Sequence, residues 1–204
     1  MGRFHRVWLW MLLLAALAGS LIKLGVPWNL VQWYQLRYFT TLSNIFGALY
    51  AVYALRGGRS PLVRGTALMS LGLTGVVYHL LLAGVVEGFV PLTLDWWGNL
   101  LVHTIAPLLM AGEWLLFRGE RLEWRYPLVW TVFPLTYVAV TLAVGKTGLV
   151  FPYTGSPYPY FFLNVDSLGW AGVLRYAAAL SAAHLALGYG LVGLDRLRGP
   201  KKDR

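Results

Sequence analysis

Six apolar stretches alternate with short polar ones along this chain, at residues 7–26, 37–55, 66–86, 97–117, 128–145 and 168–194. A helix that crosses a bilayer needs ~20 mostly apolar residues, so each stretch reads as a span. Pro27, Pro61, Pro91 and Pro127 fall at span ends, where a residue lacking an N–H does least damage. Trp96, Trp97, Trp124 and Trp170 mark interfaces. The expectation is an all-α membrane protein: one domain over residues 1–204, a bundle of six transmembrane helices. The first stretch is flanked by charge and followed by further spans, so it reads as a helix and not as a cleaved leader.

The loops sharpen this reading. Arg3 and Arg6, then Arg56, Arg59 and Arg64, then Arg118, Arg121 and Arg125, and finally Arg196, Arg198, Lys201, Lys202 and Arg204 cluster at alternate span ends. Only Lys23, Arg37, Lys146 and Arg175 of the 17 basic residues lie elsewhere. The positive-inside rule turns this split into an orientation with both termini cytoplasmic; the expected location is the cell membrane, the inner membrane of a bacterium. The loops at 28–36, 87–96 and 146–167 then lie outside. The last is the longest, and its Pro- and aromatic-rich part, residues 151–160, is unsuited to a helix. It is either a lid over the outer mouth or a connector.

Composition agrees with a membrane protein. The chain is 58% hydrophobic and 12% charged, with a mean hydropathy of +0.59, whereas globular domains carry ~25% charge. A net charge of +9 would suit nucleic acid only if gathered on a soluble face. Placed at helix ends it suits anionic lipid, so membrane lipids and not nucleic acid are the expected partners. The absence of cysteine excludes a disulfide, a thiolate metal site and a cysteine nucleophile. Ala178, Ala182, Ala186 and Gly190 form an i, i+4 stripe of small residues that predicts close helix contact.

Polar groups inside spans are costly and carry the candidate chemistry. With a rise of ~1.5 Å per residue, Thr40 lies roughly 5 Å below the outer end of the second span and Ser43 and Asn44 roughly 10 Å below it. Thr40, Ser43, Asn44 and Gly47 share one helix face. Asn99 and His103 are one turn apart on the fourth span, His103 about 9 Å down. His79 of the third span and Arg175 of the sixth fall at a similar depth. Each has a plainer reading: a helix-to-helix hydrogen bond for His79 and His184, snorkelling for Arg175 and Lys23, and pairing with a basic loop residue for Glu113. His103 with Asn99 is the pair that points most directly to function. No nucleophile elbow, zinc-protease motif, phosphate loop or dinucleotide fingerprint occurs, so any chemistry belongs to this intramembrane cluster.

Three blocks resemble the androgen-induced-gene-one family of six-span membrane proteins. They are Leu36-Arg37-Tyr38-Phe39-Thr40-Thr41-Leu42-Ser43-Asn44; Asn99-Leu100-Leu101-Val102-His103-Thr104-Ile105-Ala106-Pro107 with Glu113 beyond it; and Tyr158-Pro159-Tyr160-Phe161-Phe162-Leu163. Members of that family are threonine hydrolases of lipid esters, notably fatty acid esters of hydroxy fatty acids. The resemblance therefore implies Thr40 as nucleophile, His103 as its catalytic partner, a fatty-acyl ester as substrate and no cofactor or metal. The chain departs from the family in carrying Ser43 and Asn44 where an aspartate can stand, and its proline follows the histidine one residue sooner.

The chemistry is reasonable on its own terms. A threonine hydroxyl needs a base within hydrogen-bond reach, and an imidazole supplies one near neutral pH. Asn44, Asn99 or Arg37 would serve the oxyanion, with Ser43, His79 and Arg175 as further support. Two readings from other classes stand beside it: a haem-binding electron carrier using His79 and His103, and a transporter or purely structural bundle.

Overall fold

A computed structural model describes residues 1–84, 90–152 and 154–198. Val86 and Glu87 at the edge of the third span, Tyr153 of the long loop, and Lys201, Lys202 and Arg204 of the last basic cluster lie outside the described residues. Among the described residues the chain is mainly helical, with six long helices joined by turns and short 3₁₀ segments, and no strand. We label them α1 (Arg3–Lys23), α2 (Phe39–Leu55), α3 (Pro61–Leu82), α4 (Leu94–Leu116), α5 (Tyr126–Gly145) and α6 (Val165–Leu197). All but α2 are long and apolar enough to cross a membrane; α2 is an apolar helix of 17 residues. Large apolar side chains stand exposed along them, Leu80 at 76% and Leu108 at 64%. Such surfaces are unfavourable in water and ordinary in lipid, as a multi-pass membrane protein requires.

Local chemistry sets the helix ends. α1 begins four residues before the apolar stretch, because Arg3 and Arg6 occupy its first turn without breaking it. It stops at Lys23, where Gly25 takes a left-handed backbone (φ 79°) and the Leu24 N–H closes on Ser20. α2 starts at Phe39 and not Arg37, since Arg37 ends a separate 3₁₀ turn (Trp33–Arg37) and Tyr38 is extended. α3 starts five residues before the apolar stretch: the Ser60 hydroxyl accepts from the Val63 N–H and Pro61 follows as first helical residue. At the head of α4 the Thr93 hydroxyl accepts from the Trp96 N–H, with Asp95 in the first turn.

The chain forms two compact units, Met1–Leu122 together with Arg198–Arg204, and Glu123–Leu197. In the first unit α1 buries Leu9, Leu12, Ala16 and Gly19, a 3-4-3 stripe on one face. Gly19 lets this face meet α4 closely: a Cβ there would sit 2.6 Å from the Val102 side chain. At the opposite end of the unit one carboxylate ties four segments together. Glu113, 1% exposed, accepts from Tyr50 Oη of α2 (3.0 Å) and Arg64 Nε of α3 (2.8 Å), and lies 2.9 Å from His5 Nε2 of α1. The starts of α1 and α3 therefore meet the ends of α2 and α4, so the four helices alternate in direction. The basic partner of Glu113 is a first-turn residue of α3, since the helix begins before Arg64.

In the second unit α5 contains Pro134, which has no N–H to offer the Trp130 carbonyl four residues earlier. His184 of α6, 3% exposed, hydrogen-bonds the Trp130 backbone. The small-residue stripe expected to make close contact is overturned. Ala178, Ala182, Ala186 and Gly190 are all exposed, whereas Val173, His184, Gly188 and Val192 are buried. Gly188 is the close-contact residue, with Pro127 against it. The stripe has the right period but lies on the outward face, a choice that periodicity alone does not make. α6 is broken at Gly169, whose φ of 64° favours glycine. The long loop packs on itself: the Phe151 N–H reaches the Ser156 carbonyl (2.8 Å), and Tyr160 stacks on Phe162.

Candidate active site: a buried threonine and histidine

Both α3 and α4 widen by one residue at a single turn, through π-type segments at Tyr78–Leu82 and Leu101–Ile105. The Ala83 N–H bonds the Tyr78 carbonyl (2.7 Å), and the Ala106 N–H the Leu101 carbonyl, each five residues back. Pro107 stands two residues after the second segment and cannot donate to the His103 carbonyl, which removes a normal helical bond at this turn. Such bulges concentrate at functional sites. Here they carry Tyr78, His79, His103 and Thr104.

Thr40, in the first turn of α2, meets His103 across the helix interface, with Oγ1 3.2 Å from Nε2. The two are 8% and 9% exposed. His103 Nδ1 lies 3.1 Å from the Asn99 carbonyl one turn earlier. A carbonyl only accepts, so Nδ1 carries the proton and Nε2 offers its lone pair to the Thr40 hydroxyl. The Tyr78 ring stacks on the imidazole, centroids 4.0 Å apart, and fixes its plane. Asn99 Nδ2 donates to the Tyr78 hydroxyl. The Tyr78 proton has no acceptor among the described residues.

The remaining sequence candidates fall into place with changed roles. Asn44 is fully buried and spends both amide protons on backbone carbonyls, Thr40 at 2.9 Å and Val102 at 3.1 Å. It staples α2 to α4, and its expected role as an oxyanion donor is withdrawn because no proton is left. Ser43 likewise bonds the Thr40 carbonyl (3.0 Å) and Thr74 Oγ1 (2.7 Å), supporting the turn that carries Thr40. Asn99 keeps one free amide proton. Arg37 is half-buried in the 3₁₀ turn just before α2. His79 is exposed, 3.0 Å from Thr104 Oγ1, and meets the edge of the Tyr78 ring. It does not share a ligand position with His103, both of whose ring nitrogens are engaged. Arg175 is exposed on α6, in the second unit. Tyr78 was missed from sequence, where it merges with the interface aromatics; its signal was a tyrosine at mid-depth beside a histidine.

Comparison with family models, with curated proteins and with solved structures gives no match for this chain.

Proposed function

We propose that this chain is a membrane-embedded hydrolase of lipid esters in which Thr40 is the nucleophile and His103 its general base. The observation that carries the reading is the 3.2 Å approach of Thr40 Oγ1 to an imidazole whose other nitrogen is held by a carbonyl. Nearly complete burial keeps water from competing for the hydroxyl proton. The three sequence blocks resembling the androgen-induced-gene-one family support the same pair, and with it a fatty-acyl ester as substrate.

In the reaction, Thr40 Oγ1 attacks the ester carbonyl as His103 Nε2 takes its proton. The resulting imidazolium is stabilised by the Asn99 carbonyl at Nδ1, the place a carboxylate holds in a triad. Tyr78 is the best-placed oxyanion donor, because Asn99 bonds its oxygen and leaves its proton free. Collapse of the tetrahedral intermediate expels the alcohol, which receives the proton from Nε2. Water, deprotonated by the same nitrogen, then cleaves the acyl-threonine, releases the fatty acid and restores the hydroxyl.

A fluorophosphonate or slowly released ester should leave its adduct on the tryptic peptide bearing Thr40, read by mass spectrometry. Tyr78→Phe should accumulate the same adduct about 10²–10³ times more slowly, the usual loss for one oxyanion donor. An adduct mapped to another residue would remove Thr40 from its role.

The reading extends to placement: six spans in a membrane with both termini cytoplasmic, from the segregation of basic loops. Cysteines placed at Gly58 and Gly155 should differ in labelling by an impermeant thiol reagent on intact cells. Labelling of Gly58→Cys alone would invert the orientation.

A further inference from the structure

At the end of the first unit opposite Thr40, the meeting of helix ends around Glu113 leaves a cavity of about 750 Å³. This is within the usual range for small-molecule sites, ~300–1,000 Å³. Five arginines line it, Arg6, Arg56, Arg59, Arg64 and Arg118, against two carboxylates, Glu113 and Glu120. They come from α1, the α2–α3 loop, the first turn of α3 and the segment after α4. Topology alone would put arginines at this end of the helices, but it does not require four separate segments to turn them onto one concavity.

The electrostatics leave the cavity positive. Both Glu113 oxygens are taken, Oε1 by Tyr50 and His5 and Oε2 by Arg64. Its charge is therefore not available to the other arginines. Arg64 is held rigidly by Glu113 and by the Phe117 carbonyl. Gly119 makes room for its guanidinium, since a Cβ there would overlap Nη1. Arg56 and Arg59 are exposed, and their side chains make no hydrogen bond or ion pair among the described residues. Phe4, Leu55, Leu116 and Phe117 supply apolar wall beside them. Guanidinium groups with planar, fixed donors are suited to phosphate oxygens.

The geometry points to a second binding site here, one that takes a phosphate group from an anionic lipid headgroup or from a soluble phosphate ester. A lipid headgroup held by these arginines would find apolar side chains, Phe4, Leu55, Leu116 and Phe117, beside it for its first carbons. The site is independent of the Thr40–His103 chemistry and lies about 15 Å from it along α2, from the rise over the ten residues to Tyr50.

The test is calorimetric titration of detergent-solubilised full-length protein with three probes: dioctanoyl phosphatidic acid, inorganic phosphate, and dioctanoyl phosphatidylcholine as zwitterionic control. Saturable binding of phosphatidic acid tighter than phosphate assigns a lipid source, and equal binding a soluble one. Arg56→Gln with Arg59→Gln should weaken binding about 25-fold, at about fivefold per arginine, while both residues' exposure leaves the unfolding midpoint unchanged. Arg125→Gln, an exposed arginine outside the cavity paired with Glu123, should bind as the parent does. Absence of saturable binding to either phosphate probe, equal binding of phosphatidylcholine, or an equal loss in Arg125→Gln would overturn the proposal.

Discussion

Thr40→Ala protein, purified free of host lipases, should show no turnover of a medium- or long-chain lipid ester. In the proposed mechanism the hydroxyl forms the bond that splits hydrolysis into two steps, and no other hydroxyl bonds the His103 lone pair among the described residues. His103→Ala should retain the nucleophile and lose about 10²–10⁴ in kcat/KM, the usual worth of a positioned general base. Thr40→Ser should keep a measurable part of the activity, because the attacking oxygen remains. The pH profile follows from the same geometry. Protonation fills Nε2 and leaves no lone pair for the Thr40 proton, so activity should fall on the acidic side with a single titration. His103→Ala should lack that limb. Full ester hydrolysis by Thr40→Ala would reject the mechanism and return the cluster to a structural or transport role.

Glu113→Leu should destabilise the protein by about 3–5 kcal/mol, because it leaves a largely buried guanidinium without its counter-charge. Arg64 is 11% exposed by its side chain and Glu113 1%, so water does little to compensate. The same change strands the Tyr50 hydroxyl and the His5 ring. Arg64→Met combined with Glu113→Leu should be less destabilised than Glu113→Leu alone, since removing both charges removes the unpaired ion. Unfolding midpoints in a fixed detergent, compared as a double-mutant cycle, measure this. If Glu113→Leu unfolds with the parent, the carboxylate is not the tie between the four helices.

These two expectations differ in how far the sequence reached them. Counting residues from span ends brings Thr40 and His103 to within one helical turn of each other in depth, since helical rise converts position into height. Depth says nothing of rotation, and the sequence left Asn44, Asn99 and Arg37 as alternative oxyanion donors, with Ser43 as further support. In the fold Asn44 and Ser43 turn out to hold backbone carbonyls. Tyr78, which no spacing singled out, covers the imidazole because α3 widens at that turn. Glu113 was expected to find one basic partner; it found three helices' worth of donors, because helix ends alternate around it.

By itself the sequence determined that the protein is helical, apolar and built of membrane-length segments, because hydrophobic length and the placing of Gly, Pro and capping residues act locally. It also determined the basic clustering, which follows from composition along the chain. Only the tertiary structure decided which face of each helix is inward: the Ala178–Gly190 stripe faces out and Gly188 faces in. It alone decided the tautomer of His103, which depends on a carbonyl one turn away and a hydroxyl 63 residues distant. The reason is common to both. Rotation about a helix axis and the partner of a polar atom are set by packing between segments far apart in the chain, and neither leaves a mark on local sequence.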